Sequence, residues 1–245
     1  MDGLMQLVDI VKQSKYLVFF GGAGVSTESN IPDFRSEKGL YKAQSQYGFS
    51  PEEMLSATFF WKHQEVFYDY YRKHILHPDA KPNPAHIGLA KLEKRGILKA
   101  VITQNIDGLH QKAGSQEVLE LHGSVYTNHC HNCHAAYDMN YVEKSNNIPL
   151  CLQCGGVIKP DVVLYEEPLN HDVIERSVSH IRNADTLIIG GTSLVVYPAA
   201  GLIQYFRGKN LILINKTITP YDNKGTLLIN HAIGEVFTAL MEKLD

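Results

Sequence analysis

The chain has 245 residues, of which 44% are hydrophobic and 20% charged, and its formal net charge at pH 7 is −3. This composition supports a substantial core, organised as one main domain with smaller insertions. A dedicated nucleic-acid or membrane-surface binder is disfavoured, because such proteins need clustered positive charge and the chain has no long run of Lys and Arg. No apolar run approaches the ~20 residues that a membrane span requires.

The first predicted element is an amphipathic helix within residues 1–14. Leu4, Leu7, Val8 and Val11 recur at helical spacing, with acidic residues between them. This pattern is typical of a surface helix rather than a secretory leader. We therefore expect a cytoplasmic protein.

A glycine-rich loop follows residues 16–20, an apolar run that predicts a buried strand. Without Cβ atoms at Gly22 and Gly24 the backbone can approach a pyrophosphate closely, and a short helix behind the loop would point its amides at it. A dehydrogenase would carry a third glycine near Thr27. Here the loop runs into residues 32–35, whose acid, aromatic ring and cation suit holding and cleaving a dinucleotide. On the glycines alone, an ordinary turn of an α/β protein is an equally good interpretation.

Two helices are predicted next. Ser50-Pro51-Glu52-Glu53 is a capping box, and the helix that it opens would extend to Tyr71 with an aromatic packing face. Asn83-Pro84 opens a second helix over residues 86–95. Gly96 ends it before the next strand.

Polar residues follow the next two strands. The strand 97–103 is followed by Gln104-Asn105-Ile106-Asp107, and the short strand 118–121 is followed by His122. The carboxyl ends of parallel strands are where doubly wound sheets bind ligands. Asn105 and Asp107 could also be turn formers, and His122 could be a solvent-facing turn histidine.

All four cysteines form two Cys-Xaa2-Cys pairs, which predict a structural zinc site. Cys130 and Cys133 are separated from Cys151 and Cys154 by residues 134–150. This is zinc-ribbon spacing, and four thiolates would complete a closed tetrahedral site. Two disulfides are the alternative, but they are typical of small secreted domains. Three histidines near the first pair are interpreted as exposed neighbours of the site and not as ligands: His129, His131 and His134.

Strands and helices alternate again after the cysteines. Residues 161–165 are expected to be extended, and the helices at 172–182, 198–206 and 234–240 alternate with strands at 186–190, 210–214 and 227–230. Small or polar residues end the strands, among them Thr192, Ser193 and Asn215. The alternation predicts a parallel sheet with a ligand crevice along one edge. Asn215 could instead be a helix cap or a turn residue.

Several motifs resemble those of one known family. In chain order they are Gly-Ala-Gly-Val-Ser-Thr-Glu-Ser (22–29), Ile-Pro-Asp-Phe-Arg-Ser (31–36), Thr-Gln-Asn-Ile-Asp-Gly-Leu-His (103–110), Leu-His-Gly (121–123), the paired cysteines, and Gly-Thr-Ser-Leu-Val-Val-Tyr-Pro-Ala (191–199). With these motifs the chain resembles a sirtuin over almost its whole length.

The resemblance implies an α/β fold in which a Rossmann-like, doubly wound parallel sheet carries a smaller domain. The Rossmann-like domain would comprise residues 1–40, 80–125 and 159–245. A helical insertion at 41–79 and a zinc ribbon at 126–158 would form the small domain. NAD and an acylated lysine would enter the cleft between the domains from opposite sides.

The resemblance also implies an NAD-dependent protein-lysine deacetylase or deacylase. The acyl oxygen of the lysine would attack C1′ of the nicotinamide ribose, nicotinamide would leave, and the acyl group would pass to ADP-ribose. His122 would be the general base on a ribose hydroxyl, since an imidazole titrates near neutrality. Asn105 would order the ribose, and Ile106 and Asp107 would hold the nicotinamide carboxamide. Phe34 would shield the cationic sugar.

The dinucleotide site implied by the resemblance contains further residues. Arg35 would face the phosphates. The full expected set is Gly22, Ala23, Gly24, Thr27, Phe34, Arg35, Gln104, Asn105, Ile106, Asp107, His122, Thr192, Ser193, Asn215 and Ile233. The peptide would lie as an extra strand between residues 161–167 and 194–197, a β-augmentation with little side-chain selectivity.

Two features depart from the family pattern. Tyr165-Glu166-Glu167 stands where the family usually has Phe-Gly-Glu, so Glu166 is expected to change how the substrate strand lies. Members that remove acidic acyl groups carry Tyr-Xaa2-Arg and an alanine at the position of Thr27, whereas Tyr68 and Arg72 here are four residues apart. A neutral acyl group such as acetyl is the expected substrate.

Two other functions are compatible with the same motifs. A mono-ADP-ribosyltransferase would use the same NAD site with a protein nucleophile in place of the acyl oxygen. A zinc-ribbon interaction protein would sense NAD without turning it over.

Overall fold

The structure is a computed structural model that describes residues 2–33, 44–217 and 219–244. Its strands, in chain order, are β1 Leu17–Gly21, β2 Leu98–Thr103, β3 Val118–Glu120, β4 Thr127–Cys130, β5 Ala136–Asp138, β6 Ile158–Pro160, β7 Thr186–Gly190, β8 Asn210–Ile214 and β9 Leu227–Ile229. Six of them form one sheet in the order β3-β2-β1-β7-β8-β9, and every pair is parallel. This order is that of a Rossmann-like doubly wound sheet, so the predicted fold class is confirmed.

The α-helices, in chain order, are α1 Leu4–Gln13, α2 Pro51–Met54, α3 Ala57–Lys62, α4 Gln64–Tyr70, α5 Pro84–Lys94, α6 Leu109–Ala113, α7 Met139–Lys144, α8 His171–Asn183 and α9 Ile233–Leu244. A π-helical turn, Tyr71–Ile75, continues α4. The predicted helix at 198–206 is a 3-10 helix, Ala199–Tyr205. None of the described helices is long and apolar enough to cross a membrane.

The main sheet is buried on both faces, which explains its uninterrupted apolar strands. Leu17 and Phe19 of β1 contact the core that α1, α5 and α9 cover. Val18 and Phe20, which alternate with them, contact the opposite core under α8 and the 199–205 helix. In the register of the sheet, Gly21 lies beside both Thr103 and Gly190. The carboxyl ends of β1, β2 and β7 therefore meet at one edge.

The prediction of one continuous helix over residues 50–71 is wrong. The chain forms three separate helices there, α2, α3 and α4. The capping box at its start is present, with Ser50 and Glu53 bonded reciprocally. Ser56 ends the first piece and caps the second, since its Oγ accepts a hydrogen bond from the Phe59 amide at 3.1 Å. At the same point the backbone pairs with Tyr165. A second break at His63 (φ −136°, ψ 47°) separates α3 from α4.

A second sheet, in the order β5-β4-β6, is antiparallel and carries the cysteine pairs. Its core also contains the aromatic side chains of the helical insertion. Phe60, Phe67 and Tyr68 have no exposed surface, which confirms the predicted packing face, whereas Trp61 is 45% exposed. The helical and zinc-ribbon insertions thus share one core, and the residue boundaries of the domains stay a prediction.

Candidate active site

A cleft of about 360 Å³ opens at the carboxyl edge of the main sheet. The loops after β1, β2, β3 and β7 line it, together with Pro51, Leu55 and residues 162–167 and 169. The predicted site residues that line it are Gly22, Ala23, Gly24, Gln104, Asn105, Ile106, Asp107, His122, Thr192 and Ser193. The tertiary structure thus brings together strand ends that are far apart in sequence.

The glycines of the first loop allow close contact with the loop after β7. The Gly24 amide donates to the Gly191 carbonyl oxygen at 2.7 Å. A Cβ atom at Gly24 would lie 2.8 Å from that oxygen, and one at Gly22 would lie 2.8 Å from Cβ of Thr192. The expected helix behind the loop consists of two 3-10 turns, Ala23–Val25 and Thr27–Ser29. The close contact between the two loops is thus a second reason why glycine is needed at positions 22 and 24. The motif alone did not indicate this contact.

Asn105 and Asp107 are held by a hydrogen-bond network around Ser26. Ser26 Oγ donates to Asp107 Oδ2 at 2.6 Å and accepts from Asn105 Nδ2 at 3.0 Å. The other carboxylate oxygen of Asp107 accepts from the Leu109 amide at 2.9 Å. Both side chains therefore have a fixed orientation at the cleft wall. Ser26 was not among the predicted site residues, although its place in the glycine motif is a usable signal.

His122 is fixed in one tautomer by the backbone of the neighbouring strand end. Its Nδ1 lies 2.9 Å from the Gln104 carbonyl oxygen, which can only accept a hydrogen bond. Nδ1 therefore carries the proton, and Nε2 of the neutral ring carries the lone pair. The next residue, Gly123, has φ +73°, and a Cβ there would lie 1.9 Å from the Asp161 carbonyl oxygen. The main chain around His122 is thus tightly confined.

Three further predicted cofactor residues are described but do not line the cleft: Asn215, Ile233 and Thr27. Asn215 accepts from the Thr192 amide at 3.1 Å and donates to the Thr192 carbonyl oxygen at 2.5 Å, so it supports the loop after β7. Ile233 is 3% exposed and belongs to the hydrophobic core. Thr27 is exposed, and its hydroxyl donates to the Gly24 carbonyl oxygen. Phe34 and Arg35 lie outside the described residues.

The four cysteines are positioned for a structural zinc ion. Their Sγ atoms all lie within 4.8 Å of one another, and the Cys130–Cys154 and Cys133–Cys151 sulfur pairs are each 3.5 Å apart. A disulfide requires about 2.05 Å, whereas four thiolates around zinc at about 2.3 Å stand well apart from one another.

The neighbouring histidines have other surroundings, which agrees with their exclusion as ligands. His129 Nδ1 lies 2.8 Å from Asp161 Oδ2. The ring of His131 packs against Trp61 with centroids 4.6 Å apart. His134 is exposed and has φ +59°. Among the residues that the structure describes at this point, the group positioned to hold the metal thus consists of the four cysteines.

Three titratable side chains that were not predicted to be functional are largely removed from water: Glu120, His86 and His110. Burial raises the pKa of Glu120, at the end of β3, to about 7, and the nearby charge of Asp107 acts in the same direction. Burial lowers the pKa of His86 to about 4 and that of His110 well below its usual value. The two imidazole rings are 4.7 Å apart. Nothing in the local pattern indicates that these side chains are buried.

These features define a dinucleotide-binding α/β protein with a zinc-ribbon insertion, and comparison with known proteins agrees. The Sir2 family model matches residues 22–198. An NAD-dependent protein deacetylase of Clostridium tetani is 57% identical over 245 residues, which covers 100% of this chain and 99% of that protein.

Solved structures show the same similarity. A Sir2 complex with a p53 peptide and NAD+ has a TM-score of 0.87 at 37% identity, covering 99% of this chain and 98% of that one. A Sir2 complex with an inhibitor, 2′-O-acetyl-ADP-ribose and deacetylated p53 peptide has a TM-score of 0.85 at 38% identity, covering 98% of both chains. The chain belongs to the Sir2 family.

Proposed function

We propose that this chain is an NAD-dependent protein-lysine deacetylase that cleaves NAD to nicotinamide and transfers the acyl group to ADP-ribose. The observation that carries the proposal is His122, which lines the cleft with Nδ1 bonded to the Gln104 carbonyl oxygen. Its neutral ring can accept a proton at Nε2, as a general base on a ribose hydroxyl requires. The p53-peptide, NAD+ and 2′-O-acetyl-ADP-ribose complexes of similar Sir2 proteins agree with this chemistry.

Asn105 and Asp107 bind the nicotinamide-ribose half of NAD in this proposal. The Ser26 network sets the orientation of both side chains before the ligand arrives, so little ordering is needed on binding. Ile106 lies between them in sequence and lines the cleft, where it would contact the nicotinamide carboxamide. NAD supplies a C1′ carbon from which nicotinamide can leave once the acyl oxygen attacks.

The loops after β1 and β7 bind the remainder of the dinucleotide. Gly22, Ala23 and Gly24 present backbone with little side-chain bulk, and Thr192 and Ser193 of the adjoining loop line the cleft beside them. Gln104 Nε2 donates to Thr192 Oγ1 at 3.0 Å, which joins the strand ends. Asn215 acts by holding the Thr192 backbone. Phe34 and Arg35 keep their expected roles at the sugar and phosphates, and Thr27 and Ile233 border the site.

The acylated peptide lies as an extra strand between residues 161–167 and 194–197. Val162, Val163 and Leu164 line the cleft on one side, and Val196 and Tyr197 line it on the other. Val163 donates its amide hydrogen to the His122 carbonyl oxygen at 2.9 Å. The peptide-binding segment, residues 161–167, is thus joined directly to the residue that acts as the base. Recognition of this kind relies on backbone hydrogen bonds more than on side chains.

A neutral acyl group is the preferred substrate. Tyr68 is fully buried, and its hydroxyl donates to the Ile158 carbonyl oxygen. Arg72 Nη1 donates to Ser145 Oγ at 3.1 Å and to the Asn147 carbonyl oxygen at 2.9 Å. Neither residue lines the described part of the cleft. An acyl carboxylate would find no cation from this pair, and burying it unpaired is costly.

We place the protein in the cytoplasm, because four thiolates must stay reduced to bind zinc and reducing compartments keep them so. A mono-ADP-ribosyltransferase is not favoured. It would have no use for a base on the ribose hydroxyl, and the similar Sir2 structure with 2′-O-acetyl-ADP-ribose carries a deacetylation product.

The test is incubation of the protein with NAD and an acetyl-lysine peptide, followed by mass analysis of the products. We expect nicotinamide, deacetylated peptide and O-acetyl-ADP-ribose. His122→Ala should lower the rate about a hundredfold or more, while NAD binding measured by calorimetry is retained. Transfer of labelled ADP-ribose to protein without peptide deacetylation would contradict the proposal, as would an unaltered rate in the variant.

A further inference from the structure

Glu166 adopts a backbone conformation that usually requires glycine. Its φ is +77°, in the left-handed region. A side chain with Cβ is disfavoured there, and Asn and Asp are the usual exceptions because they can bond locally. Glutamate has no such local bond, so the surrounding structure must compensate for the cost.

The carboxylate of Glu166 bonds the start of helix α3. Its Oε2 accepts from the Thr58 amide at 2.9 Å, across 108 positions of sequence. Hydrogen bonds from the side chain and backbone of Thr58 lower the pKa of Glu166, and the charge of Lys62 acts in the same direction. The carboxylate is therefore ionised at neutral pH, which suits the positive end of a helix.

The first three amides of α3 all have partners, and two of the partners come from the peptide-binding segment. Ala57 donates to the Tyr165 carbonyl oxygen at 3.0 Å, and Thr58 donates to Glu166. Phe59 donates to Ser56 Oγ at 3.1 Å. In return, Tyr165 donates its amide hydrogen to the Leu55 carbonyl oxygen at 2.9 Å. A helix normally satisfies these amides with its own cap or with water.

The same residues border the cleft. Leu55 lines it from the helical insertion, and Tyr165 and Glu166 line it from the peptide-binding segment. We propose that Glu166 is a positioning residue of the peptide site, whose bond to Thr58 holds the segment 162–167 against α3 and sets the groove for the acylated peptide. This inference rests on the proposed deacetylase function.

The experiment compares three variants at this position. Glu166→Gln keeps an oxygen that can accept from Thr58, Glu166→Ala removes it, and Glu166→Gly removes it while relieving the left-handed conformation. Asp138→Ala is the matched control, because Asp138 caps α7 through the Tyr141 amide at 2.9 Å, outside the peptide site.

The first readout is steady-state deacetylation of an acetyl-lysine peptide at saturating NAD. We expect Glu166→Ala and Glu166→Gly to raise the peptide KM about fivefold, the effect of one lost hydrogen bond on ground-state binding, with kcat little changed. Glu166→Gln and Asp138→Ala should stay within about twofold of the parent KM. The KM for NAD should be unaffected in all four.

The second readout is hydrogen exchange of the Ala57 and Thr58 amides in the protein without substrate. Exchange should become faster in Glu166→Ala and Glu166→Gly but not in Asp138→Ala. Unchanged exchange and an unchanged peptide KM in Glu166→Gly would overturn the inference. If the parent protein does not deacetylate the peptide, the proposed function fails, and the exchange measurement still decides whether Glu166 holds the segment.

Discussion

Replacing Glu120 with Gln should change the pH dependence of folding stability in a defined direction. Glu120 lies at the end of β3, and burial raises the pKa of its carboxyl to about 7 from an ordinary value of 4.5. At a pH between these two values, the Glu120 carboxyl is ionised in the unfolded chain and protonated in the folded protein. The folded state therefore loses relative stability as pH rises through this window.

The size of the effect follows from the two pKa values. Below pH 4.5 the carboxyl is protonated in both states, so its ionisation does not lower the free energy of unfolding. Above the folded pKa it is ionised in both states, and the loss of stability no longer changes with pH. The difference between the folded and unfolded pKa values corresponds to a loss of at most about 3 kcal/mol in the free energy of unfolding. Any remaining contact of the carboxyl with water reduces this loss. Glutamine has nearly the same shape and carries no charge, so Glu120→Gln removes the pH-dependent part and leaves only a constant packing difference.

The buried histidines act in the opposite direction. Burial lowers the pKa of His86 to about 4, so the unfolded chain binds the extra proton first and stability falls as pH decreases below the ordinary histidine value of 6.5. His110 follows the same sign. The pH profile of the parent protein alone would mix these contributions. The comparison of parent and Glu120→Gln at each pH isolates the carboxyl.

The assay is urea unfolding of both proteins at several values between about pH 5 and about pH 8. The stability of the variant relative to the parent should rise by about 2 kcal/mol or more across this range. Glu242→Gln, on an exposed position of α9, is the control and should show no such trend. A difference between Glu120→Gln and parent that stays constant with pH would refute the assignment of a protonated, buried carboxyl.

Three further predictions follow from the metal site, the turn after the base and the acyl pocket. Cys151→Ala removes one of four thiolates and should lower zinc content, stability and activity together; metal analysis and thermal unfolding check this. Gly123→Ala would place a Cβ 1.9 Å from the Asp161 carbonyl oxygen, so it should destabilise the fold by about 2 kcal/mol or more and lower kcat by displacing His122. Acetyl-lysine peptides should show a higher kcat/KM than succinyl-lysine peptides, and Arg72→Ala should not change their ratio.

Each of these has an outcome that would contradict it. Zinc-free protein that is folded and active would remove the structural role of the cysteines. Parent-like stability of Gly123→Ala would mean that the turn can rearrange without moving the base. A higher kcat/KM for the succinyl peptide, lost in Arg72→Ala, would identify Arg72 as the anchor of an acidic acyl group.

Local patterns in the sequence were sufficient for the elements that depend on local interactions. Apolar runs that end in Gly190 and before Asn215 predicted β7 and β8 with their observed bounds, because a strand that is buried on both faces is apolar along its whole length. The two Cys-Xaa2-Cys pairs predicted one metal site, since a tight turn already aims two thiolates at one point. Polar residues at strand ends located the cleft, because parallel strands end at a common edge.

Contacts between distant segments were decided only by the tertiary structure. The break at Ser56 depends on Tyr165, and the conformation of Glu166 depends on Thr58. Asn215 supports the Thr192 loop instead of lining the cleft, although its position after a strand is like that of Asn105. A residue's type and neighbours determine which hydrogen bonds it can make, but the packing of the whole chain determines which partner lies within reach.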